Sequence, residues 1–423
     1  MKIEKVVGYQ VLDSRGRPTV AAAITLADGT THTARVPSGA STGKHEAKEL
    51  RDENSPTASK FYGGKSVNQA VTNINNLIAP TLLDKQISLP DVDTQLVDLD
   101  PTQDHSKLGA NATLAVSLAA AIADAHSQNK SLVRFFNGDG DLEIPMPMVN
   151  ILSGGAHAGR TLDIQDVLVV PNGAISFTES LSWIVAIREA AAKLGAADGK
   201  VTHLIADEGG LGIAFDSINA ACEFVVKVIK SVGLNPGSDV SIALDIASTQ
   251  FFDGAKYNLN TEGKSLTSTE FVQYINTLVS NQPIVSIEDP FAEDDWSAWQ
   301  QFMEVAPSKL QVLGDDLLTT NLNRLNKAIA ENSANAILIK ANQNGLVTST
   351  LNVLKQARAN NFNTVVSARS GETEDSWLAD LATGWRAGQI KVGSTHGSER
   401  TAKWNRLLEL EATEESTFAN PFN

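Results

Sequence analysis

Short apolar runs that each end in a charged residue constrain the fold of this chain more than any other feature. Between residues 242 and 340 four such runs follow one another at helix-length intervals, and they are closed by Asp245, Glu288, Asp315 and Lys340. Runs this short and rich in β-branched residues, bounded by turn residues, are typical of buried parallel strands in a βα array. In a βα barrel the carboxyl ends of the strands form the face on which active sites are built. The sequence therefore predicts that these four charges share one face of a barrel.

Three carboxylates that converge on one face repel each other unless a cation lies between them. Oxygen ligands of this kind suit a hard ion such as Mg²⁺. Lys340 would lie close to that ion, whose positive field favours the neutral amine that can act as a base. Together these groups predict removal of a proton next to a carboxylate, with the metal stabilising the enolate. The alternative is that each charge only caps a loop, but four in successive units favour a site.

Composition excludes several classes of function. The chain has 423 residues, enough for two domains, because single cores stop growing beyond about 250–300 residues. Its formal net charge is −15 and no basic run stands out, so nucleic acid and anionic membranes are poor candidate partners. The single cysteine, Cys222, cannot form an internal disulfide, which fits a cytoplasmic protein. We find no apolar run of membrane-spanning length and no signal-peptide pattern after Met1, so a surface or secreted location would need another export route.

The order of the predicted elements indicates two domains. Residues 1–135 are expected to form an α+β domain, a three-stranded antiparallel meander followed by helices from about His45 to Lys130. Residues 140–423 are expected to form the β/α barrel, in which Val201–Asp207 is one of the predicted strands. The glycine-rich segment Val36–Lys44 is either a mobile loop that closes over a ligand or only a long connection.

Six short motifs, in order along the chain, resemble the signature segments of the enolase family. They are Ser38–Gly43, Asp207–Gly210, Ser286–Pro290, Gly314–Leu317, Ile339–Gln343 and Arg369–Asp375. The resemblance runs from Leu12–Gly16 to Ser398–Arg400, nearly the whole chain. It implies an enolase-type barrel with an amino-terminal α+β domain, and the reversible dehydration of 2-phosphoglycerate to phosphoenolpyruvate. It also implies a homodimer or a ring of dimers. In this superfamily a lysine or histidine base acts together with one or two Mg²⁺ ions.

The resemblance also implies roles for single residues. Asp245, Glu288 and Asp315 would hold the first Mg²⁺, and Ser41 would bind a second, substrate-dependent Mg²⁺. Lys340 would take the proton from carbon 2, and Glu208 would protonate the departing hydroxyl group.

A further set of residues would contact the substrate, some of them together with the metal. Arg369 and Ser370 would hold the phosphate, because a guanidinium fork suits a tetrahedral dianion. Lys391 would lie near the substrate carboxylate. The rest of the implied substrate-binding set is His157, Gln165, Asp166, Glu288 and Asp315.

Three positions depart from the family pattern. Ala368 stands where the family has a histidine beside the phosphate, which removes one donor at a cost of about 1–3 kcal/mol of binding. Asp166 replaces a glutamate, and its shorter side chain changes any support it gives Glu208. His396 could restore a donor near the phosphate or could be a surface histidine. Two functions therefore stay open, a working enolase and an enolase-fold paralogue that binds other proteins at a bacterial surface, and the presence of all three metal carboxylates, the base and the acid favours the enzyme.

Overall fold

An antiparallel three-stranded sheet forms the amino-terminal part of the molecule. The computed structural model describes residues 1–40, 42–53 and 61–422, and for residues 156 and 157 only the backbone. The strands of this sheet are β1 (Ile3–Leu12), β2 (Pro18–Leu26) and β3 (Thr31–Arg35). Asp13 closes the turn between β1 and β2, because its carboxylate accepts hydrogen bonds from the backbone N–H groups of Arg15 and Arg17.

Helices cover this sheet and complete the predicted α+β unit. They are α1 (Asn68–Asn73), α2 (Ala79–Leu82), α3 (Leu89–Leu99), α4 (Ala110–Ser127) and α5 (Leu132–Asn137). A π-helical turn, Ile74–Ile78, joins α1 to α2. The alanine-rich α4 is buried on nearly all sides and packs against β2 and β3.

The second part of the chain alternates strands and helices. Its strands are β4 (Leu142–Ile144), β5 (Met146–Ser153), β6 (Asp166–Val170), β7 (Ser241–Asp245), β8 (Lys256–Leu259), β9 (Lys264–Thr267), β10 (Ile284–Glu288), β11 (Gln311–Gly314), β12 (Ala336–Ile339), β13 (Asn363–Ser367), β14 (Gly388–Lys391) and β15 (Ser416–Phe418). Its helices are α6 (Phe177–Ala197), α7 (Ile218–Ser231), α8 (Ser268–Asn281), α9 (Trp296–Val305), α10 (Leu322–Glu331), α11 (Ala341–Asn344), α12 (Val347–Ala359), α13 (Trp377–Gly384) and α14 (Ser398–Thr413). Local chemistry fixes several helix starts. For example, Thr267 and Glu270 form a capping box at the start of α8.

Eight of the described strands close a barrel in the order β5, β6, β7, β10, β11, β12, β13, β14. β6 is antiparallel to both of its neighbours, whereas the other neighbouring strands are parallel. The first residue of β6 therefore lies at the rim where the other strands end. Buried apolar side chains such as Met148, Leu168 and Leu338 fill the interior. The predicted fold, a β/α barrel with an amino-terminal α+β domain, is confirmed, and the boundary between residues 135 and 140 stays a prediction.

Two local predictions are wrong. Val201–Asp207 is not a strand, since Ile205 makes only an isolated bridge to Leu211 and most of the segment's apolar side chains are exposed. The barrel leaves no place for this segment, because β6 already pairs with β5 on one side and β7 on the other. Residues 45–53, which were expected to be helical, form irregular backbone.

Candidate active site

One rim of the barrel carries most of the candidate residues. Asp245, Glu288 and Lys391 are the last residues of their strands, and Asp315 and Lys340 directly follow theirs. Asp166 reaches the same rim because β6 runs in the opposite direction and begins there. Arg369 and Ser370 follow β13 by two and three residues. A single pocket is lined by Gln165, Glu208, Asp245, Asp315, Lys340, Ala368, Arg369, Ser370 and Lys391, among others.

The ammonium group of Lys391 lies between two of the predicted metal ligands. Its Nζ is 2.7 Å from Asp245 Oδ2 and 2.7 Å from Glu288 Oε2. All three side chains are buried. Gln165 contacts one of these carboxylates, since its Nε2 donates to Asp245 Oδ2 at 3.0 Å. Burial raises the pKa of Glu288 well above its usual value, and the neighbouring Asp245 charge raises it further.

The predicted base, Lys340, is paired with the third predicted metal ligand. Its Nζ donates to Asp315 Oδ2, and Gln343 Nε2 donates to the other carboxylate oxygen at 2.8 Å. Burial lowers the pKa of Lys340, but the charge of Asp315 more than offsets this effect, so the net shift is upward. The sequence analysis expected a lower pKa for Lys340, because it included the positive field of a metal ion. The protein groups alone place the negative charge of Asp315 beside the amine, and this charge raises the pKa.

Another group of carboxylates at this rim is arranged as metal ligands are. Among the described residues, Asp289, Asp315 and Asp316 each offer an oxygen within 4.8 Å of the others. Asp289 and Asp316 were missed in the sequence, although each directly follows a strand-end acid that was identified. Asp289 has a positive φ of 42°, and its carboxylate accepts the backbone N–H groups of Asp315 at 2.9 Å and Asp316 at 2.7 Å. Burial, and then the charge of Asp315, raise the pKa of Asp316 to about 8.

These residues fit a divalent cation bound by oxygen ligands. Six carboxyl groups but only three cationic side chains line the pocket, so the acidic groups outnumber the basic ones by three. Burial is the largest cause of the upward pKa shifts of Glu288, Asp289 and Asp316, and the charges of neighbouring carboxylates add to these shifts. A Mg²⁺ ion could be held by Asp315 together with either Asp245 and Glu288, as predicted, or Asp289 and Asp316.

The predicted acid, Glu208, lines the same pocket. Asn150 Nδ2 donates to Glu208 Oε2 at 3.1 Å. Asp166 is completely buried, and its pKa is raised by burial and then by the charges of Glu208 and Asp245. One oxygen of Asp166 accepts a hydrogen bond from Ser153, and the other has no hydrogen-bond partner among the described residues. Gly210, two residues after Glu208, lies close to the same serine, since a Cβ at this position would be 2.2 Å from Ser153 Oγ.

Arg369, the predicted phosphate ligand, is held by a residue that sequence reasoning missed. Its Nη1 lies 2.8 Å from Glu46 Oε2, and its Nη2 lies 3.3 Å from Glu46 Oε1. Asn342 Oδ1 accepts a third hydrogen bond from Nη1 at 3.1 Å. Glu46 belongs to the amino-terminal part of the chain and is 323 positions from Arg369. No local signal could have linked two residues so far apart.

Ser370 is also contacted from the amino-terminal part. Its Oγ accepts hydrogen bonds from the Ala40 backbone N–H at 2.7 Å and from Arg15 Nη1 at 3.4 Å. Ser38 and Gly371 exchange backbone hydrogen bonds of 2.8 and 3.0 Å. The segment that follows β13 is therefore shaped by both parts of the chain.

The departures from the family pattern lie in different places. Ala368 is buried and lines the pocket beside Arg369 and Ser370. His396 is exposed, and its pKa is lowered by partial burial and by the charge of Arg188. It is not among the described residues that line the pocket, so the surface interpretation of His396 is favoured.

Two of the predicted site residues cannot be placed in the same way. Ser41, the predicted ligand of a second metal ion, lies outside the described residues. His157 belongs to a short 3₁₀ helix, Gly155–Ala158, and its side chain lies outside the described part.

Comparison with models of known protein families agrees with this geometry. Residues 141–420 match the enolase C-terminal TIM barrel domain, and residues 3–136 match the enolase N-terminal domain. The chain belongs to the enolase family. Family membership indicates a lyase, and enolase-family domains typically bind Mg²⁺. Within the described part of the chain, no helix combines the length and apolar character needed to cross a bilayer.

Proposed function

We propose that this enolase-family protein interconverts 2-phosphoglycerate and phosphoenolpyruvate, the enolase reaction of glycolysis. The observation that supports the proposal best is that Lys340, Glu208, Lys391 and Arg369 line one pocket together with an excess of carboxylates. A base, an acid and two cationic side chains are what a phosphorylated hydroxy acid needs for dehydration. A cytoplasmic location and assembly as a homodimer or a ring of dimers stay predictions from the resemblance.

Each residue has a separate task in the proposed reaction. Lys340 takes the proton from carbon 2 as the neutral amine, the form that the positive field of a bound Mg²⁺ would favour. The electrons of the broken bond pass to the substrate carboxylate to give a dianionic enolate. Glu208, in its acid form, then gives its proton to the hydroxyl on carbon 3, which leaves as water while the double bond forms between carbons 2 and 3. The rim carboxylates would hold Mg²⁺, which would supply positive charge close to the substrate carboxylate.

The remaining contacts orient the substrate. Arg369 and Ser370 bind the phosphate, and the guanidinium is fixed for this task by its bonds to Glu46 and Asn342. Lys391 is buried between Asp245 and Glu288 and contributes positive charge near the substrate carboxylate. Gln165 fixes the Asp245 side chain.

The test is the formation of phosphoenolpyruvate from 2-phosphoglycerate, followed by ultraviolet absorbance with and without Mg²⁺. We expect Mg²⁺-dependent turnover that falls by at least about 100-fold in Lys340→Ala and in Glu208→Gln. If the unmodified protein is no more active than Lys340→Ala, the proposal is contradicted and the binding paralogue becomes the leading account. A thermal shift on addition of Mg²⁺ alone would separate loss of metal binding from loss of catalysis.

A further inference from the structure

Arg400 is a completely buried arginine whose side chain ends among backbone carbonyls of the active site. Its Nη1 donates to Arg369 O at 2.6 Å and to Val392 O at 3.0 Å. Its Nη2 donates to Ser370 O at 2.6 Å and to Asp207 O at 3.2 Å. Both terminal nitrogens are thus used in full by four carbonyl groups.

The four carbonyls belong to three separate segments of the proposed site. Asp207 directly precedes Glu208, Arg369 and Ser370 are the phosphate ligands, and Val392 directly follows Lys391. The acid, the phosphate-binding segment and the end of β14 are therefore joined through one guanidinium group.

The backbone around Arg400 is built for this close approach. Gly393 has a φ of 114°, and a Cβ there would lie 2.7 Å from Glu208 O and 3.2 Å from Arg400 Cδ. Ser394 N donates to Glu208 O at 2.8 Å, which ties the acid's own backbone to the segment after β14. Only glycine allows the two segments to approach one another with Arg400 between them.

The position of Arg400 in its helix is unfavourable unless it has such a task. It lies in the first turn of α14, where the helix dipole disfavours a cation, and the nearby Glu399 Oε1 is 3.4 Å from its Nε. The base is held differently, since Lys340 N donates to Thr320 Oγ1 at 2.9 Å. Among the described residues, none of the four Arg400 hydrogen bonds goes to the segment that carries Lys340.

We propose that Arg400 is a positioning residue that holds Glu208 in register with the phosphate-binding segment and Lys391, while the base Lys340 is positioned independently. This inference rests on the proposed function. It predicts that loss of Arg400 separates the two halves of the reaction. Removal of the carbon 2 proton by Lys340 continues, whereas protonation of the departing hydroxyl by Glu208 becomes slow.

The experiment measures both halves in the same full-length protein. In D₂O with Mg²⁺ and 2-phosphoglycerate, loss of the carbon 2 proton signal reports exchange through Lys340, and absorbance reports phosphoenolpyruvate. In Arg400→Met we expect phosphoenolpyruvate formation to fall by about 100-fold, as for a catalytic group displaced by about 1 Å, with a much smaller loss of exchange. Arg400→Lys keeps the charge but cannot donate to four carbonyls. If Arg400→Met yields no folded protein, the ratio of exchange to dehydration is measured in Arg400→Lys instead.

Arg406→Met is the matched control, because Arg406 lies on the same helix and is paired with Asp380 at 2.8 Å, away from the pocket. It is expected to lower thermal stability and to leave the ratio of exchange to dehydration unchanged. Equal losses of exchange and dehydration in both Arg400 variants, or no loss in folded variants, would overturn the inference. Absence of both signals in the unmodified protein would instead refute the proposed function on which it rests.

Discussion

Replacement of Glu46 tests how the proposed phosphate ligand is held. The Glu46 carboxylate accepts two hydrogen bonds from Arg369, at 2.8 and 3.3 Å, and the two side chains are only 6% and 4% exposed. Burial would lower the pKa of Arg369, but the charge of Glu46 raises it above its usual value. The guanidinium therefore stays charged in the folded and in the unfolded protein. Removing one member of a buried ion pair costs about 3–5 kcal/mol, because the other charge is left without a partner. We expect Glu46→Ala to lose that amount of unfolding free energy.

Glu46→Gln keeps one acceptor for Arg369 and loses only the charge, so about 1–3 kcal/mol is expected. Both losses can be measured by urea-induced unfolding followed by tryptophan fluorescence. The Michaelis constant for 2-phosphoglycerate is expected to rise more in Glu46→Ala than in Glu46→Gln, since the alanine variant loses both Glu46 acceptors and the glutamine variant keeps one.

The control for Glu46 lies two residues earlier in the chain. Lys44 and Asp294 form an ion pair of 3.5 Å whose side chains are 69% and 47% exposed. Lys44→Met is therefore expected to change the unfolding free energy by at most about 1 kcal/mol. If Glu46→Ala costs no more than Lys44→Met, the ion pair does not stabilise the buried guanidinium and the reasoning is wrong.

Three further changes test other contacts. Ala368→His restores a donor beside the phosphate site and is expected to lower the Michaelis constant by about 5- to 100-fold; an unchanged constant would mean that other donors already satisfy the phosphate. Gly371→Ala would place a Cβ 2.2 Å from Asp13 Oδ2, so an unfolding free energy lower by at least about 1–3 kcal/mol is expected, and an unchanged urea midpoint would contradict the packing. Burial raises the pKa of the Cys222 thiol to about 12, so a thiol reagent at about pH 8 is expected to react only after unfolding, and rapid labelling of the native protein would refute that burial.

The barrel could be predicted from sequence because its signal is local. Each β-branched run is short, is bounded by turn residues and ends in a charge, as in the run that leads to Asp245. The same reasoning failed for Val201–Asp207, where an apolar run is exposed and precedes a turn with two glycines. The residues of an apolar run show that it could form a strand. Whether it does depends on whether the closed barrel leaves a strand edge unpaired, which the run itself does not show.

The site could be predicted only in part, for a related reason. The residue types at the strand ends are visible in the sequence, and so is the side of the barrel on which they lie. Which oxygens approach one another is not visible, because the positive φ of Asp289 turns its side chain towards the backbone of Asp315 and Asp316. Contacts between residues far apart in the chain depend on how distant segments meet. Glu46 and Arg369 are 323 positions apart, and Arg400 and Asp207 are 193 positions apart.

The amino-terminal part contributes to the proposed substrate site and does not merely cover a complete barrel. Gly371 pairs with Ser38, Ser370 accepts bonds from Ala40 and Arg15, and Arg369 is held by Glu46. All of these contacts fall on the segment proposed to bind phosphate, whereas Lys340 is contacted by Thr320 and Asp315, and Glu208 by Asn150, which all belong to the barrel. From this placement we infer a division of tasks in the proposed reaction: the barrel would supply the acid and the base, and the amino-terminal part would fix the position of the phosphate ligands. Changes in the amino-terminal contacts are therefore expected to act first on substrate affinity, and changes at Arg400 on the balance between the two chemical steps.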